Sequence, residues 1–198
     1  HNAEVILHGD TYDESYKEAL RISEKEGLTF IHPFDDPEVI AGQGTIALEI
    51  LRQSEKLPDA IYVAVGGGGL ISGIAAYVKS LWPHIEVIGV EPQDASAMTN
   101  SLKAGKKIKL NEIGLFADGV AVREVGQYTF EIAQKYVDSM VTVSTDEICA
   151  AIKDVFEDTR SILEPAGALS VAGLKSDLTN RNFNGRKVVA ITSGANMN

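Results

Sequence analysis

"AIYVAVGGGGLISGIAAYVKSLW", residues 60–82, joins an apolar run, four consecutive glycines and a helix-like segment. The β-branched and aromatic residues of 60–65 predict a short buried strand, and 70–82 predict a helix that ends before Pro83. Glycine has no Cβ, so the backbone amides between strand and helix can approach a ligand closely. The helix dipole favours an anion at this point. The stretch therefore predicts a phosphate cradle, with a plain tight turn as the alternative. The four glycines are Gly66, Gly67, Gly68 and Gly69.

Short apolar runs alternate with helix-like segments along the rest of the chain. The predicted strands are 4–9, 60–65, 85–90, 140–143 and 187–192. The predicted helices are 13–27, 44–56, 70–82, 95–105, 126–138, 144–159 and 165–175. Continuously apolar strands separated by helices indicate an α/β fold with a parallel sheet covered on both faces. Ligands of such sheets lie beyond the carboxyl ends of the strands, where the glycines and "SGAN" (193–196) are expected to form one site.

Local signals mark several ends of these elements. Gly27 is placed as a helix C-cap, and Ser144 with Glu147 forms the pattern of a capping box. The two prolines in "TFIHPFDDP" (29–37) predict a domain edge or an exposed connection.

Composition excludes several classes of protein. The 198 residues carry a formal net charge of −10, which argues against a nucleic-acid or anionic-membrane partner. The cationic stretch 103–109 is short and is interpreted as a solvated connection. No apolar run approaches the roughly 18 residues of a membrane helix. A single cysteine, Cys149, excludes an internal disulfide framework, and its apolar neighbours predict a core residue.

The identity of the phosphate compound is not fixed by the glycines alone. A P-loop needs a lysine after the last glycine, and none follows at that spacing. The dinucleotide fingerprint needs a third glycine where this chain has Ile71 or Ser72. Glu91 nevertheless ends a predicted strand about 20 residues on, where a ribose-binding acid is expected. A dinucleotide-binding domain therefore stays open as an alternative.

Six stretches, spread in order through nearly the whole chain, carry a family resemblance. They are "PFDDPEVIAGQGTIALEI" (33–50), "VGGGGLISG" (65–73), "GVEP" (89–92), "LFADGVAV" (115–122), "DVFEDTRSILEPAGALSVAGLK" (154–175) and "SGANMN" (193–198). Together they resemble the threonine dehydratases of the fold type II (tryptophan-synthase-β-like) pyridoxal-phosphate (PLP) enzymes. The resemblance implies an incomplete parallel-sheet three-layer sandwich. Residues 1–30 would end the small domain, residues 31–198 would form the later part of the large catalytic domain, and the regulatory domain would be absent.

The resemblance also implies roles for particular residues. Gly66 to Gly69 with Leu70 would hold the PLP phosphate, and Ser193 would hydrogen-bond the pyridine nitrogen. Gly119 would lie on a loop that passes the ring, and Glu164 would lie near the ring. A neutral hydroxyl at the ring nitrogen makes PLP a weaker electron sink than an aspartate does, which suits loss of a β-substituent. The alternative for Ser193 is a strand-end cap or turn former.

The lysine that would bind the cofactor covalently is absent, because the family's lysine-bearing stretch does not occur in this sequence. Lys187 starts the strand that leads to Ser193, about 20 Å away, and Lys79 lies about 15 Å along the helix from Gly69. We therefore expect no catalytic lysine in this chain, and no dehydratase turnover by these 198 residues alone.

No metal site is expected either. In related serine racemases a divalent cation is bound at the positions of Glu91, Ala95 and Ala97, and Ala97 offers no carboxylate.

The implied activity is PLP-dependent conversion of L-threonine to 2-oxobutanoate and ammonia, the first committed step towards isoleucine. A serine dehydratase or racemase of the same family is the alternative enzyme. The resemblance further implies an allosteric homo-oligomer, a dimer or tetramer, in the cytoplasm or, in a plant or alga, the plastid stroma.

Overall fold

A computed structural model describes residues 3–196, and the chain divides into two compact units, His1–His32 and Pro33–Asn198. The helices are α1 (Tyr12–Glu26), α2 (Pro37–Gln53), α3 (Gly69–Leu81), α4 (Ala97–Ala104), α5 (Gln127–Tyr136), α6 (Thr145–Thr159) and α7 (Pro165–Leu178). The strands are β1 (Ala60–Ala64), β2 (Glu86–Pro92), β3 (Ser139–Val143) and β4 (Val188–Ala190). Short 3-10 turns span Gln93–Ala95 and Asp118–Val120.

The four strands form one parallel sheet in the order β3-β2-β1-β4. In the register of the central strand, Tyr62 lies opposite Ala190 of β4 on one side and Ile88 of β2 on the other. Every residue of β1 is buried, as expected for a strand covered on both faces. The α/β fold class predicted from the sequence is confirmed.

Helices cover both faces of the sheet. Alternate residues of β1 point to opposite sides and therefore face different helices. Ile61 and Val63 face a core that contains residues of α2 and α3, whereas Tyr62 and Ala64 face a core that contains residues of α6 and α7. At the contact of α2 with α3, a Cβ added to Gly73 would lie 2.2 Å from the carbonyl oxygen of Ile40. These two helices therefore pack with their backbones in contact.

The helix predicted for 44–56 begins earlier, at Pro37. Proline fits the first turn of a helix because its missing N–H has no intrahelical acceptor there. The Asp36 carboxylate caps this turn by accepting hydrogen bonds from the amides of Glu38 (2.8 Å) and Val39 (3.1 Å).

The strand predicted for 4–9 is not formed. Val5 and Leu7 are 77% and 92% exposed, and no described residue pairs with this segment. A strand needs a partner for its backbone groups, so an apolar run alone does not create one. In the same unit, the C-cap predicted at Gly27 is confirmed by its left-handed conformation, φ 66°.

Cys149 is exposed, so its prediction as a core residue is wrong. Helix α6 buries Ile148 and Ala151, and position 149 lies outside that buried stripe of the helix. The capping box predicted at the start of this helix is confirmed, because Ser144 and Glu147 form both of its hydrogen bonds. Among the described residues, no helix combines the length and the hydropathy needed to cross a membrane.

Candidate functional site

The two segments predicted to share a site lie at the same edge of the sheet. Strands β1 and β4 are parallel neighbours, so the glycine loop (Gly66–Gly69) and Ser193 both follow carboxyl ends. Beyond β4, the amide of Ile191 still donates to the carbonyl of Tyr62 at 3.1 Å. Ser193 is exposed, and its hydroxyl forms no hydrogen bond within residues 3–196. A free hydroxyl and a glycine loop therefore stand side by side.

The glycine loop leads directly into α3. Gly68 is the N-cap, with φ 98° and no side-chain acceptor, and Leu70 lies half-buried in the first turn. The first amide to find a helical acceptor is that of Ser72, which donates to the Gly68 carbonyl at 3.0 Å. The preceding amides of the first turn lack an acceptor within the helix. They form a set of donors at the positive end of the helix dipole.

Side-chain acceptors are unevenly distributed among the seven helices. In the described part of the chain, five helices have one at the amino end, whereas α3 and α7 have none. The acceptors for α1, α2, α4, α5 and α6 are Thr11, Asp36, Glu91, Asp35 and Ser144. The two helices without a capping side chain both begin at the candidate site. The beginning of α3 is therefore suited to an anion that comes from outside the chain.

The protein itself also requires glycine in this loop. A Cβ added to Gly66 would lie 2.9 Å from the Cα of Val120, and one added to Gly67 would lie 2.3 Å from Cγ of Phe34. At Gly68 the positive φ disfavours any residue with a side chain. Ligand approach alone therefore does not explain the glycine run, because internal packing demands glycine as well.

The loop that carries Gly119 lies beside the glycine loop through the contact of Val120 with Gly66. Gly119 is exposed, and a Cβ added there would lie 3.0 Å from the Cβ of Ala166 and 3.5 Å from Oε1 of Glu164. Two of the predicted ring-side residues, Gly119 and Glu164, are thus neighbours.

Glu164 in turn contacts the segment that carries Ser193. Its amide donates to the carbonyl of Gly194 at 3.1 Å, and its Oε2 accepts the amide of Asn196 at 3.0 Å. All eight residues predicted for cofactor binding are therefore brought together at one edge of the sheet.

The helix that follows Glu164 also holds the other side of Ser193. The hydroxyl of Ser170, which is fully buried in α7, donates to the carbonyl of Ile191 at 2.5 Å. A Cβ added to Gly167, one turn before Ser170, would lie 2.1 Å from the carbonyl oxygen of Gly194. The backbone on both sides of Ser193 is fixed by one face of this helix.

Sequence reasoning missed three residues beneath the glycine loop: Phe34, Asp35 and Thr129. Phe34 packs on Gly67, and Asp35 caps a helix that begins 92 residues later. Thr129 donates from Oγ1 to the Gly67 carbonyl at 2.7 Å. The "FDDP" stretch carries the pattern of a local cap at Asp36, but nothing in the sequence pairs Asp35 with a remote helix.

Glu91 is buried and holds the start of α4. Its carboxylate accepts hydrogen bonds from the amides of Met98 and Thr99, both at 2.8 Å, and from the Thr99 hydroxyl at 2.6 Å. Burial raises the pKa of Glu91 to about 7, against the lowering effect of these hydrogen bonds. The carboxylate is therefore engaged and enclosed, which contradicts a ribose-binding role. No cluster of three potential metal ligands occurs among the described residues.

The two lysines considered as cofactor ligands lie at the opposite edge of the sheet. Lys79 donates from Nζ to the Ile85 carbonyl (2.7 Å) and to Asp138 (2.9 Å), just before β2 and β3 begin. Lys187 precedes β4 and donates to the carbonyl of Lys56 at 2.7 Å. Neither amine can reach the glycine loop from there.

Comparison with known proteins places this geometry in a family. The family model "Pyridoxal-phosphate dependent enzyme" matches residues 1–194. The biosynthetic L-threonine dehydratase IlvA of Burkholderia multivorans is 58% identical over 195 residues, 98% of this chain and 38% of that protein. The chloroplastic biosynthetic threonine dehydratase of Arabidopsis thaliana is 56% identical over 196 residues, 99% of this chain and 33% of that protein.

A solved structure agrees with these relatives. The processed form of threonine deaminase isoform 2 from Solanum lycopersicum superposes with a TM-score of 0.91 at 49% identity, covering 98% of this chain and 56% of that one. The chain spans only 33–38% of the length of these two curated relatives. The family model matches nearly all of this chain, and the sheet edge carries a glycine-loop helix without a capping side chain. The chain therefore belongs to the family of pyridoxal-phosphate-dependent enzymes.

Proposed function

We propose that the protein containing this chain converts L-threonine to 2-oxobutanoate and ammonia in a PLP-dependent reaction. The observation that carries the proposal is the uncapped start of α3 beside the free hydroxyl of Ser193. The names of the similar proteins, biosynthetic threonine dehydratases, support the choice of substrate.

The chemistry of the residues at the sheet edge fits the cofactor. The amides of the glycine loop and Leu70 would bind the phosphate dianion at the positive end of α3. The Ser193 hydroxyl would bond the ring nitrogen, and Gly119 and Glu164 would border the ring. When bound, PLP supplies an electron sink for the carbanion formed at the substrate Cα.

Ser193 sets the strength of that electron sink. A serine hydroxyl is neutral at physiological pH, so it does not hold a full positive charge on the ring nitrogen as a carboxylate does. This favours prompt loss of the β-hydroxyl over slower reactions such as transamination. Lys79 and Lys187 are bound at the far edge of the sheet, so we assign removal of the Cα proton to a base outside this chain.

The test is a product assay on the longer protein. We expect L-threonine to give 2-oxobutanoate and ammonia, and Ser193→Ala to lower kcat with little change in the amount of bound phosphate. If L-serine is converted to pyruvate or to D-serine while L-threonine is not, the related serine enzyme is the correct assignment. If the protein binds a nicotinamide dinucleotide instead of PLP, the assignment to this reaction is wrong.

We further propose that the protein forms a homo-oligomer, a dimer or tetramer, regulated by isoleucine. Its place in the cell would be the bacterial cytoplasm or the plastid stroma. The name of the Arabidopsis relative, which includes "chloroplastic", supports the second option for a plant or algal source. Sedimentation of the intact protein with and without isoleucine tests both the assembly and the regulation.

A further inference from the structure

Thr129 lies directly beneath the glycine loop, in the first turn of α5, and is fully buried. Its Oγ1 donates to the Gly67 carbonyl at 2.7 Å, and its own carbonyl accepts a hydrogen bond from the Ser72 hydroxyl at 3.2 Å. One threonine therefore binds both the loop and the helix that the loop begins.

Asp35 fixes Thr129 in turn. Its Oδ1 accepts the amide of Thr129 at 3.2 Å, and its Oδ2 accepts the amide of Gln127 at 2.8 Å. The carboxylate is also packed closely against the chain, because a Cβ added to Gly126 would lie 2.2 Å from its Cγ. The hydroxyl of Thr129 thus projects from a capped and closely packed helix start.

The Gly67 carbonyl is held from one side by two donors, since the amide of Gly126 also approaches it at 3.4 Å. The peptide unit that joins Gly67 to Gly68 is planar and trans, so its N–H points away from its C=O. With the carbonyl directed at α5, the Gly68 amide is directed to the opposite side of the loop. A glycine peptide without this restraint could rotate and present its carbonyl there instead.

We propose that Thr129, held by Asp35, is a positioning residue that directs the Gly68 amide towards the PLP phosphate. The inference rests on the proposed function, in which the glycine loop holds that phosphate. A presented carbonyl in place of the amide would repel the dianion, so the effect of Thr129 falls on the phosphate and not on the pyridine ring.

The experiment compares PLP with pyridoxal, which lacks the phosphate, on the intact apoprotein. Thr129→Val keeps the shape of the side chain and removes the donor, and Thr129→Ser keeps the donor. We expect Thr129→Val to weaken PLP at least about tenfold and pyridoxal hardly at all, with Thr129→Ser close to the wild type. The phosphorus NMR signal of bound PLP should shift in the valine variant alone.

Ser101→Ala is the matched control, because Ser101 is equally buried and donates to the carbonyl of Ala97, away from the glycine loop. The inference is overturned if Thr129→Val weakens PLP and pyridoxal equally, keeps the wild-type preference for PLP, or behaves like Ser101→Ala. If Thr129→Val does not fold, Thr129→Ala takes its place under the same criteria. Thr129→Ser should keep the wild-type phosphorus signal. A wild type without preference for PLP would instead show that the proposed function is wrong.

Discussion

Glu91 is a carboxyl group whose protonation is linked to stability. Its folded-state pKa of about 7 lies above the ordinary value of 4.5. Between these values the folded state keeps a proton that the unfolded chain has lost. The stabilisation is fully present below pH 4.5 and is lost as the pH rises through 7, up to about 3 kcal/mol.

We therefore expect Glu91→Gln to flatten the dependence of the unfolding midpoint on pH between 5 and 8. The amide stays neutral, although it cannot accept every hydrogen bond that the carboxylate accepts from Met98 and Thr99. Thermal unfolding of the intact protein across this pH range measures the slopes. Equal slopes for wild type and variant would show that the carboxyl does not titrate there.

Ser170 offers a second experiment on a single residue. Replacing it with alanine leaves the carbonyl of Ile191 without its buried donor and frees the backbone before Ser193. We expect faster amide hydrogen exchange across 191–196 and an altered absorbance of the bound PLP ring, with its phosphorus signal unchanged. A double substitution with Ser193→Ala tests the coupling, because independent effects on PLP release would multiply.

At this scale the sequence predicted the glycines and Ser193 but not the residues that hold them. Asp36 has a local helix to cap, so its pattern is visible in the chain. Asp35 and Thr129 act across 94 residues, and no local pattern encodes such a pair. Cys149 was misplaced because its apolar neighbours do not specify which side of the helix is buried.

At the scale of elements, two adjacent aspartates, Asp35 and Asp36, cap the amino ends of two different helices, α5 and α2. We expect Asp35→Ala and Asp36→Ala each to cost about 1 kcal/mol of unfolding free energy, because each removes an N-terminal acceptor. Asp35→Ala should also weaken PLP binding through Thr129, whereas Asp36→Ala should not. Chemical denaturation and PLP titration of the intact variants separate the two effects. Equal PLP affinities would show that the α5 cap does not reach the loop.

The glycine loop and α2 offer a matched pair of glycine substitutions. Gly67→Ala would place its Cβ 2.3 Å from Cγ of Phe34, and overpacking of this kind costs about 1–3 kcal/mol. Gly42→Ala lies in α2 with no heavy atom within 4 Å, so it should stabilise the helix by roughly 0.5–1 kcal/mol. We expect Gly67→Ala to lower the unfolding midpoint and Gly42→Ala to raise it. An unchanged midpoint for Gly67→Ala would show that the loop accommodates the added methyl group.

Most helices and strands were predictable because the apolar residues of the strands are continuous and those of the helices recur at helical spacing. The start of α2 at Pro37 differs from the predicted start at residue 44, because a proline that follows a capping aspartate begins a helix and does not break it. The segment 4–9 has the pattern of a strand without a strand's hydrogen-bond partners. Pairing is a property of two segments, so one segment cannot reveal it.

At the scale of the whole molecule, we expect these 198 residues alone to form no stoichiometric phosphopyridoxyl-lysine. Lys79 and Lys187 are bound to carbonyls at the far edge of the sheet. Incubation with PLP, reduction with borohydride and peptide mass spectrometry give the measurement, and scattered labelling of surface lysines is the background. Full labelling of one lysine would contradict the geometry.

The apolar runs themselves do not reveal the order of the strands, because pairing is a property of two segments and not of one. The two unusual loops after 60–65 and 187–192 could be recognised from the sequence. Their proximity follows from the pairing of β1 with β4, which joins segments more than 120 residues apart.

The pairing of β1 with β4 also determines which substitutions can alter the spacing of the two loops. Adjacent strands lie about 4.8 Å apart, a spacing set by main-chain hydrogen bonds and not by side chains. If the two loops hold opposite ends of the coenzyme as proposed, the span between these contacts would be insensitive to most side-chain substitutions. We therefore expect substitutions elsewhere at this edge to change the preferred amino acid before they change the vitamin-derived group that is bound.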